Sequence, residues 1–367
     1  MQRRLFSLKD DLYKNPQNRR TMRFVIVIAA FIIGGLLVVA AINYYTWDEF
    51  FVRASKSLVD GLALSMLLFL MVSGFFLIFG LCDVINFAHG AFFMLGGFMG
   101  FLIYIGTEAI FLDPTLPFYL VFGANPFAMS VTAFVISAIG ATAILAMIGG
   151  GIEYFTVRRL YGNPIAQILL TVGFMFIITE VAEIFWGTSV FSYFITPYSQ
   201  INYFFITGIL DFGGAMKFAL YRIFLIFLGL AVAVFMFAAF RKTRIGLLIQ
   251  AGIEDSEMVE ALGTDIRRLF TLVFMLGAGL AGLSGAVLVP WIGANTGHGL
   301  TYLIFAFVIV VVGGAHYGRF EGTFFGAIIV GMSMQVTAYF VPVLENIIVF
   351  IIMAIILIIR PGGLTGE

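Results

Sequence analysis

Long apolar runs with few charges alternate along this chain with short polar segments. About 20 apolar residues cross a bilayer as a helix. Runs that approach or exceed this length cover Phe24–Trp47, Leu58–Gly80, Pro126–Gly151, Ile165–Trp186, Ile223–Phe240, Leu269–Val289, Thr323–Val341 and Val343–Ile359, with shorter ones at Ala91–Gly106 and Leu300–Gly314. Helices satisfy their own backbone polar groups and so survive in lipid. The pattern therefore predicts an all-α integral membrane protein, a polytopic bundle of about ten transmembrane helices. One junction departs from it. Cys82, Asp83, Asn86 and His89, flanked by Gly80 and Gly90, interrupt two apolar runs. Polar groups at membrane depth need protein or a water-lined cavity around them, so a broken-helix segment is predicted near residues 82–90.

Composition agrees: 62% of residues are hydrophobic and 11% charged, where a soluble domain carries roughly 25% charged residues. The net charge is zero, so only the placement of charge is informative. With a cytoplasmic N-terminus, Arg53, Lys56, Lys217 and Arg222 fall outside and the other sixteen of the 20 Lys and Arg fall inside, as the positive-inside rule requires. Both termini are then cytoplasmic. Tyr44, Tyr45, Trp47, Trp186 and Trp291 sit at outer span ends, where an aromatic belt belongs. The first run is too long for a signal-peptide core and reads as retained. Residues 1–23 form a cytoplasmic arm, residues 24–367 one transmembrane domain, and residues 241–268 a cytoplasmic loop. A single cysteine, Cys82, excludes an intramolecular disulfide and any multi-cysteine metal site. No basic patch suggests nucleic acid.

Many of the 41 glycines recur at four-residue spacing inside the runs. Gly277, Ala281 and Gly285 make one row; Ala278, Gly282 and Ala286 make the next. Small residues at this spacing let helices approach closely, so these rows read as packing. Asn86 and His89 lie three apart and share a face if helical. They can hydrogen-bond a polar solute, or merely cap the break; the residues alone leave both open. Asp83 and His89 admit a proton relay. Glu180 and Glu183, beside Trp186, read as interfacial, and His298 in G-H-G (297–299) as an exposed turn. The loop 241–268 differs in kind. Ile245, Leu248, Ile249 and Gly252 share one helical face, and Met258, Val259 and Leu262 form a second apolar patch before a Gly263 cap. Its acidic centre, with Glu254, Asp255, Glu257 and Glu260, argues against rest on an anionic inner leaflet and for docking in a protein groove.

The string I-N-F-A-H-G (85–90) resembles the signature of permease subunits of branched-chain amino acid type ABC importers. The stretch from T-R-I-G (243–246) through Glu254 and Asp255 to A-L-G (261–263) is similar to their cytoplasmic coupling segment. Y-G-N-P-I-A-Q-I-L-L-T-V-G (161–173) and the glycine-rich 313–322 also resemble family segments, although Ala315, His316 and Tyr317 lengthen the latter. The likeness covers nearly everything beyond the first span.

The resemblance implies a transmembrane subunit with no enzymatic activity of its own. It implies a path near Asn86, His89, Gly90 and Thr171, and contact with an ATPase through Arg244, Gly246, Glu254, Asp255 and Gly263. Implied partners are a second permease (a paralogue or a copy), two cytoplasmic ATPases that bind ATP and Mg, and an external solute-binding protein. The implied setting is a bacterial inner membrane. The chain itself has no G-x-x-x-x-G-K-[ST] phosphate loop and implies no cofactor or metal of its own. Branched-chain or other hydrophobic amino acids are the expected cargo, with urea, amides or aromatic acids moved by similar systems. A secondary transporter driven by a proton or sodium gradient through Asp83 and His89 is the alternative.

Overall fold

The computed structural model describes residues 46–82, 84–119, 125–191, 209–211, 217–254, 256–261, 263, 265–314, 320–360 and 362–364. The arm 1–23, nearly all of the first expected span, Asp83 and Asp255 lie outside them. Seven of the described helices are long and apolar enough to cross a membrane, and two shorter apolar ones accompany them. The chain is an all-α polytopic membrane protein. In order, the spans are α1 (Trp47–Cys82), α2 (Ala88–Leu112), α3 (Pro126–Phe155), α4 (Pro164–Trp186) and α5 (Leu220–Lys242). Two polar-edge helices follow, α6 (Arg244–Glu254) and α7 (Ser256–Ala261), then α8 (Ile266–Ile292), α9 (His298–Gly313), α10 (Phe320–Phe340) and α11 (Ile347–Ile359).

Local chemistry sets many boundaries. Asn125 and Asn163 each accept the N–H of the residue three on, and Pro126 and Pro164 occupy the first turn, the favoured arrangement for a helix start. Asp265 caps α8 by accepting the Arg268 N–H at 3.2 Å. Gly187, Gly293 and Gly314 end α4, α8 and α9 at φ of 71°, 82° and 73°, a region open mainly to glycine. The last expected span, Val343–Ile359, begins instead at Ile347, after a 3-10 turn over Pro342–Leu344. Pro342 at the head of that turn favours the tighter coil. Two three-residue strands, Ile209–Asp211 and Lys217–Ala219, pair antiparallel in the connection between α4 and α5.

Helices α1 and α8 form the centre. Helix α8 packs on α1, α2 and α3, while α1 also packs on α10 and α5. The small residues of α8 face all three neighbours. Gly277 abuts Gly74 of α1, Ala278 abuts Gly149 of α3, and Gly285 lies against the Phe93 carbonyl of α2. Gly96 of α2 rests on the backbone of Gly282. Outer helices α4 and α5 leave Phe176, Ile184, Phe185, Phe227 and Phe235 exposed, as side chains bathed in hydrocarbon would be.

Polar groups tie the two ends. At one end, Arg222 of α5 pairs with Asp60 of α1 at 3.4 Å and lies 3.5 Å over the Trp291 ring, and Tyr339 donates to Asp60 at 2.7 Å. Trp186 stacks on Phe98 at 4.9 Å. Both tryptophans thus engage the protein as well as standing at span ends. At the other end, fully buried Glu153 accepts from Arg158 at 3.2 Å, from Tyr161 at 3.0 Å and from Thr271 of α8 at 2.6 Å.

Candidate functional site

Residues 84–86 form no regular structure between α1 and α2, and Phe87 turns into α2. The break is well supplied with partners. Asn86 Oδ1 accepts the Ala88 N–H at 3.1 Å, and the Asn86 carbonyl accepts the His89 N–H at 3.2 Å. Thr171 of α4 accepts the Phe87 N–H at 3.2 Å and stands 3.4 Å from the Ile85 carbonyl. Sequence reasoning grouped Asn86, His89, Gly90 and Thr171, and the structure brings all four to this break. Asn86 performs the capping role that was one of its two readings.

The break lies deep within the bundle. His89 Nε2 is 2.9 Å from the Met71 carbonyl, at mid-length in α1, and its ring meets Phe75 edge-on at 5.5 Å. A carbonyl only accepts, so in the neutral ring the proton sits on Nε2 and Nδ1 becomes an acceptor. Among the described residues, buried Nδ1 of His89 and buried Nδ2 of Asn86 have no hydrogen-bond partner. The site therefore holds one free acceptor and one free donor where water is scarce. Leaving such groups unmet costs on the order of 1–3 kcal/mol each, so they mark a place for a polar visitor or an ordered water.

Beside them is a cavity of about 250 Å³, lined by Phe75, Ile85, Asn86, Phe87, Leu300, Leu303, Ile304 and Phe307. Asn86 is its one polar side chain. Asn86 turns no polar atom into the chamber and His89 is not among its lining residues, so the chamber itself suits an apolar group better than an ion.

The far wall comes from α9, which sequence reasoning did not assign to the site. Gly90 sits on the Gly299 carbonyl so closely that a Cβ would collide with it and with Leu303. Tyr302 stacks on Phe93 at 4.7 Å. His298 is half-buried in the first turn of α9, edge-on to Tyr302 at 5.7 Å. This corrects the exposed-turn reading. The segment is drawn inward because Phe191 and Ala294 exchange backbone hydrogen bonds of 2.9 and 2.7 Å, which ties the loop after α4 to the loop before α9. The available signal was the dipeptide His-Gly, found at 89–90 and again at 298–299.

The second predicted cluster is at the end of α5. Thr243 accepts the Gly246 N–H at 3.0 Å, turning the chain into α6. Gly246 lies on the backbone of Ala239 and Phe240, where no Cβ fits, and Ile249 is buried. Arg244, Leu247 and Met258 face outward, while Val259 faces in. Gly263 has φ of 89°, as expected of a glycine cap. Arg244, Gly246 and Gly263 thus border one folded-back segment; the side chain of Glu254, and Asp255 entirely, lie outside the described residues.

A bundle of membrane-length helices with a polar break beside a small chamber is an architecture that suits passage of a solute. The comparisons make the class specific. Residues 57–359 match the family described as "Branched-chain amino acid transport system / permease component", and the chain belongs to it. It is 24% identical over 332 residues to the high-affinity branched-chain amino acid transport system permease protein BraD of Pseudomonas aeruginosa, covering 85% of this chain and 95% of that one. It is 24% identical to LivH of Escherichia coli, a permease protein of the same description, covering 87% and 98%. A probable branched-chain amino acid transport permease LivH of Methanocaldococcus jannaschii is 23% identical, covering 85% and 92%. No solved structure matches the chain significantly. The chain is a transport-system permease, and nothing among these relatives supports the gradient-driven alternative.

Proposed function

We propose that this chain is the membrane-spanning permease subunit of an ATP-driven, binding-protein-dependent importer whose cargo is branched-chain or other hydrophobic amino acids. The family match across residues 57–359 carries the reading. An apolar chamber at the break supports it, since an aliphatic side chain needs such surroundings, and the unpartnered Asn86 Nδ2 and His89 Nδ1 lie buried at the same break. In this reading Asn86, His89 and Gly90 line the path, and Thr171 holds the break open by bonding its backbone.

The folded-back segment from Arg244 to Gly263 receives an ATPase on the cytoplasmic side of a bacterial inner membrane, with both chain termini on that side. ATP and Mg bind to two such ATPases, not to this chain. A second permease, paralogous or identical, completes the path, and a solute-binding protein delivers cargo to the face that bears Asp60 and Arg222. Closure of the ATPases shifts α6, and α6 moves the ends of α5 and α1 on which it packs.

The test is reconstitution. Proteoliposomes that contain this chain, its genetic neighbours among ATPases and permeases, and the cognate binding protein should accumulate leucine only with internal ATP. Uptake by this chain alone, driven by a proton or sodium gradient, would refute the reading.

A further inference from the structure

Helices α5 and α8 both pack on α1 but leave a gap between them. The gap is a crevice of about 500 Å³ with walls from Phe235, Met236 and Ala239 of α5 and Leu272, Leu276 and Leu280 of α8, a back from Leu77 of α1, and an end closed by Gly246 and Ile249 of α6. Thr243 is the only polar side chain in it. Phe235 and Leu276, 69% and 46% exposed, form an open rim toward the surrounding bilayer. A slot this apolar at membrane depth fills with hydrocarbon.

Its polar end is cationic. Lys242 and Arg244 flank Thr243, are exposed, and make no ion pair among the described residues. Arg268 stands one turn before Leu272 on the same row of α8. Asp265 pairs with Arg268 and Glu321 with Arg241, which leaves Lys242 and Arg244 as the positive charge at this end; the acids from Glu254 to Glu260 come ten or more residues further along the chain. Basic groups at the membrane edge of an interhelical slot attract anionic lipid headgroups.

We propose that this crevice is a binding site for an anionic phospholipid of the cytoplasmic leaflet, with one acyl chain between α5 and α8 and its phosphate against Lys242 and Arg244. The assignment of leaflet rests on the orientation given under Proposed function. An acyl chain seated there touches Gly246 and Ile249 directly. The lipid therefore fixes how α6 lies under the bundle, and anionic lipid becomes a requirement for ATP-coupled uptake rather than a passive solvent.

The direct test is native mass spectrometry of the purified, delipidated chain titrated with phosphatidylglycerol or phosphatidylcholine. Retention of phosphatidylglycerol over phosphatidylcholine is expected. Lys242→Glu should weaken that retention roughly tenfold or more, since it replaces attraction by repulsion at the headgroup. Ala239→Phe should abolish it by filling the slot. Equal retention of the two lipids, or retention indifferent to both variants, overturns the proposal, as does disulfide capture of a second permease through Leu276→Cys. Normal melting temperatures of the variants establish that they fold. Orientation is read separately by labelling Lys242→Cys, in a Cys82→Ser background, with an impermeant maleimide. Because lipid retention needs no ATPase, the site and the importer reading fail independently.

Discussion

Replacing Gly285 by alanine tests whether α2 and α8 touch backbone to backbone. The added Cβ would land on the Phe93 carbonyl and beside the Gly97 N–H. Both obstacles are main chain, so no side chain can rotate away and the helices must separate by more than an ångström. The seam continues through Gly96 on Gly282 and Gly100 on Ala286, so the separation also loosens those contacts. Overpacking of this kind costs about 1–3 kcal/mol, against which alanine gains about 1 kcal/mol in helix propensity. Gly106→Ala in the same helix α2 meets nothing within 4 Å and keeps only the gain. The two variants should differ by about 1–3 kcal/mol, on the order of a few degrees in melting temperature. Thermal unfolding in detergent, followed by intrinsic fluorescence or by loss of the monodisperse size-exclusion peak, gives the comparison. Leucine uptake should fall in Gly285→Ala, because the displaced α2 carries His89 and Gly90. If Gly285→Ala melts with or above Gly106→Ala, the backbone seam does not exist.

His89→Ala should lower uptake while leaving membrane insertion intact, because it removes both the anchor on Met71 and the free Nδ1; unchanged uptake kinetics would remove His89 from the path. Glu153→Ala should destabilise the chain by about 3 kcal/mol, since Arg158, Tyr161 and Thr271 all lose a buried partner, and a melting temperature equal to that of the parent would contradict the network. Replacing Glu254 and Asp255 with lysine should release or uncouple the ATPases, and co-purification at normal stoichiometry with normal uptake would take the coupling role from that segment.

Much of this architecture was legible because it is local. The edges of the apolar runs place most of the helices, and the polar interruption after Gly80 announces the break. The α6–α7 segment was readable for the same reason, since its apolar face repeats at helical spacing and Gly263 closes it. What escaped lies in contacts between residues far apart in the chain. Gly299 matters because Gly90 rests on it, and the repeated His-Gly dipeptide at 89–90 and 298–299 is too short to announce that contact. His298 looked exposed because glycines flank it, whereas the bond between Phe191 and Ala294 pulls its loop inward. Glu153 follows the end of an apolar run; its partners come from the following turn and from α8, more than a hundred residues on. Thr171 entered through resemblance alone, and only its geometry against Ile85 and Phe87 gives it a physical task.

The contact between Gly90 and Gly299 has a mechanical corollary. Long side chains at a helix crossing act as springs that absorb small displacements by changing rotamer. Here the first turns of α2 and α9 meet main chain on main chain, with the Cβ atoms of Leu303 and Met94 beside the contact. A push delivered to either helix is handed to the other without slack, so the two walls of the chamber must pivot together like meshed teeth.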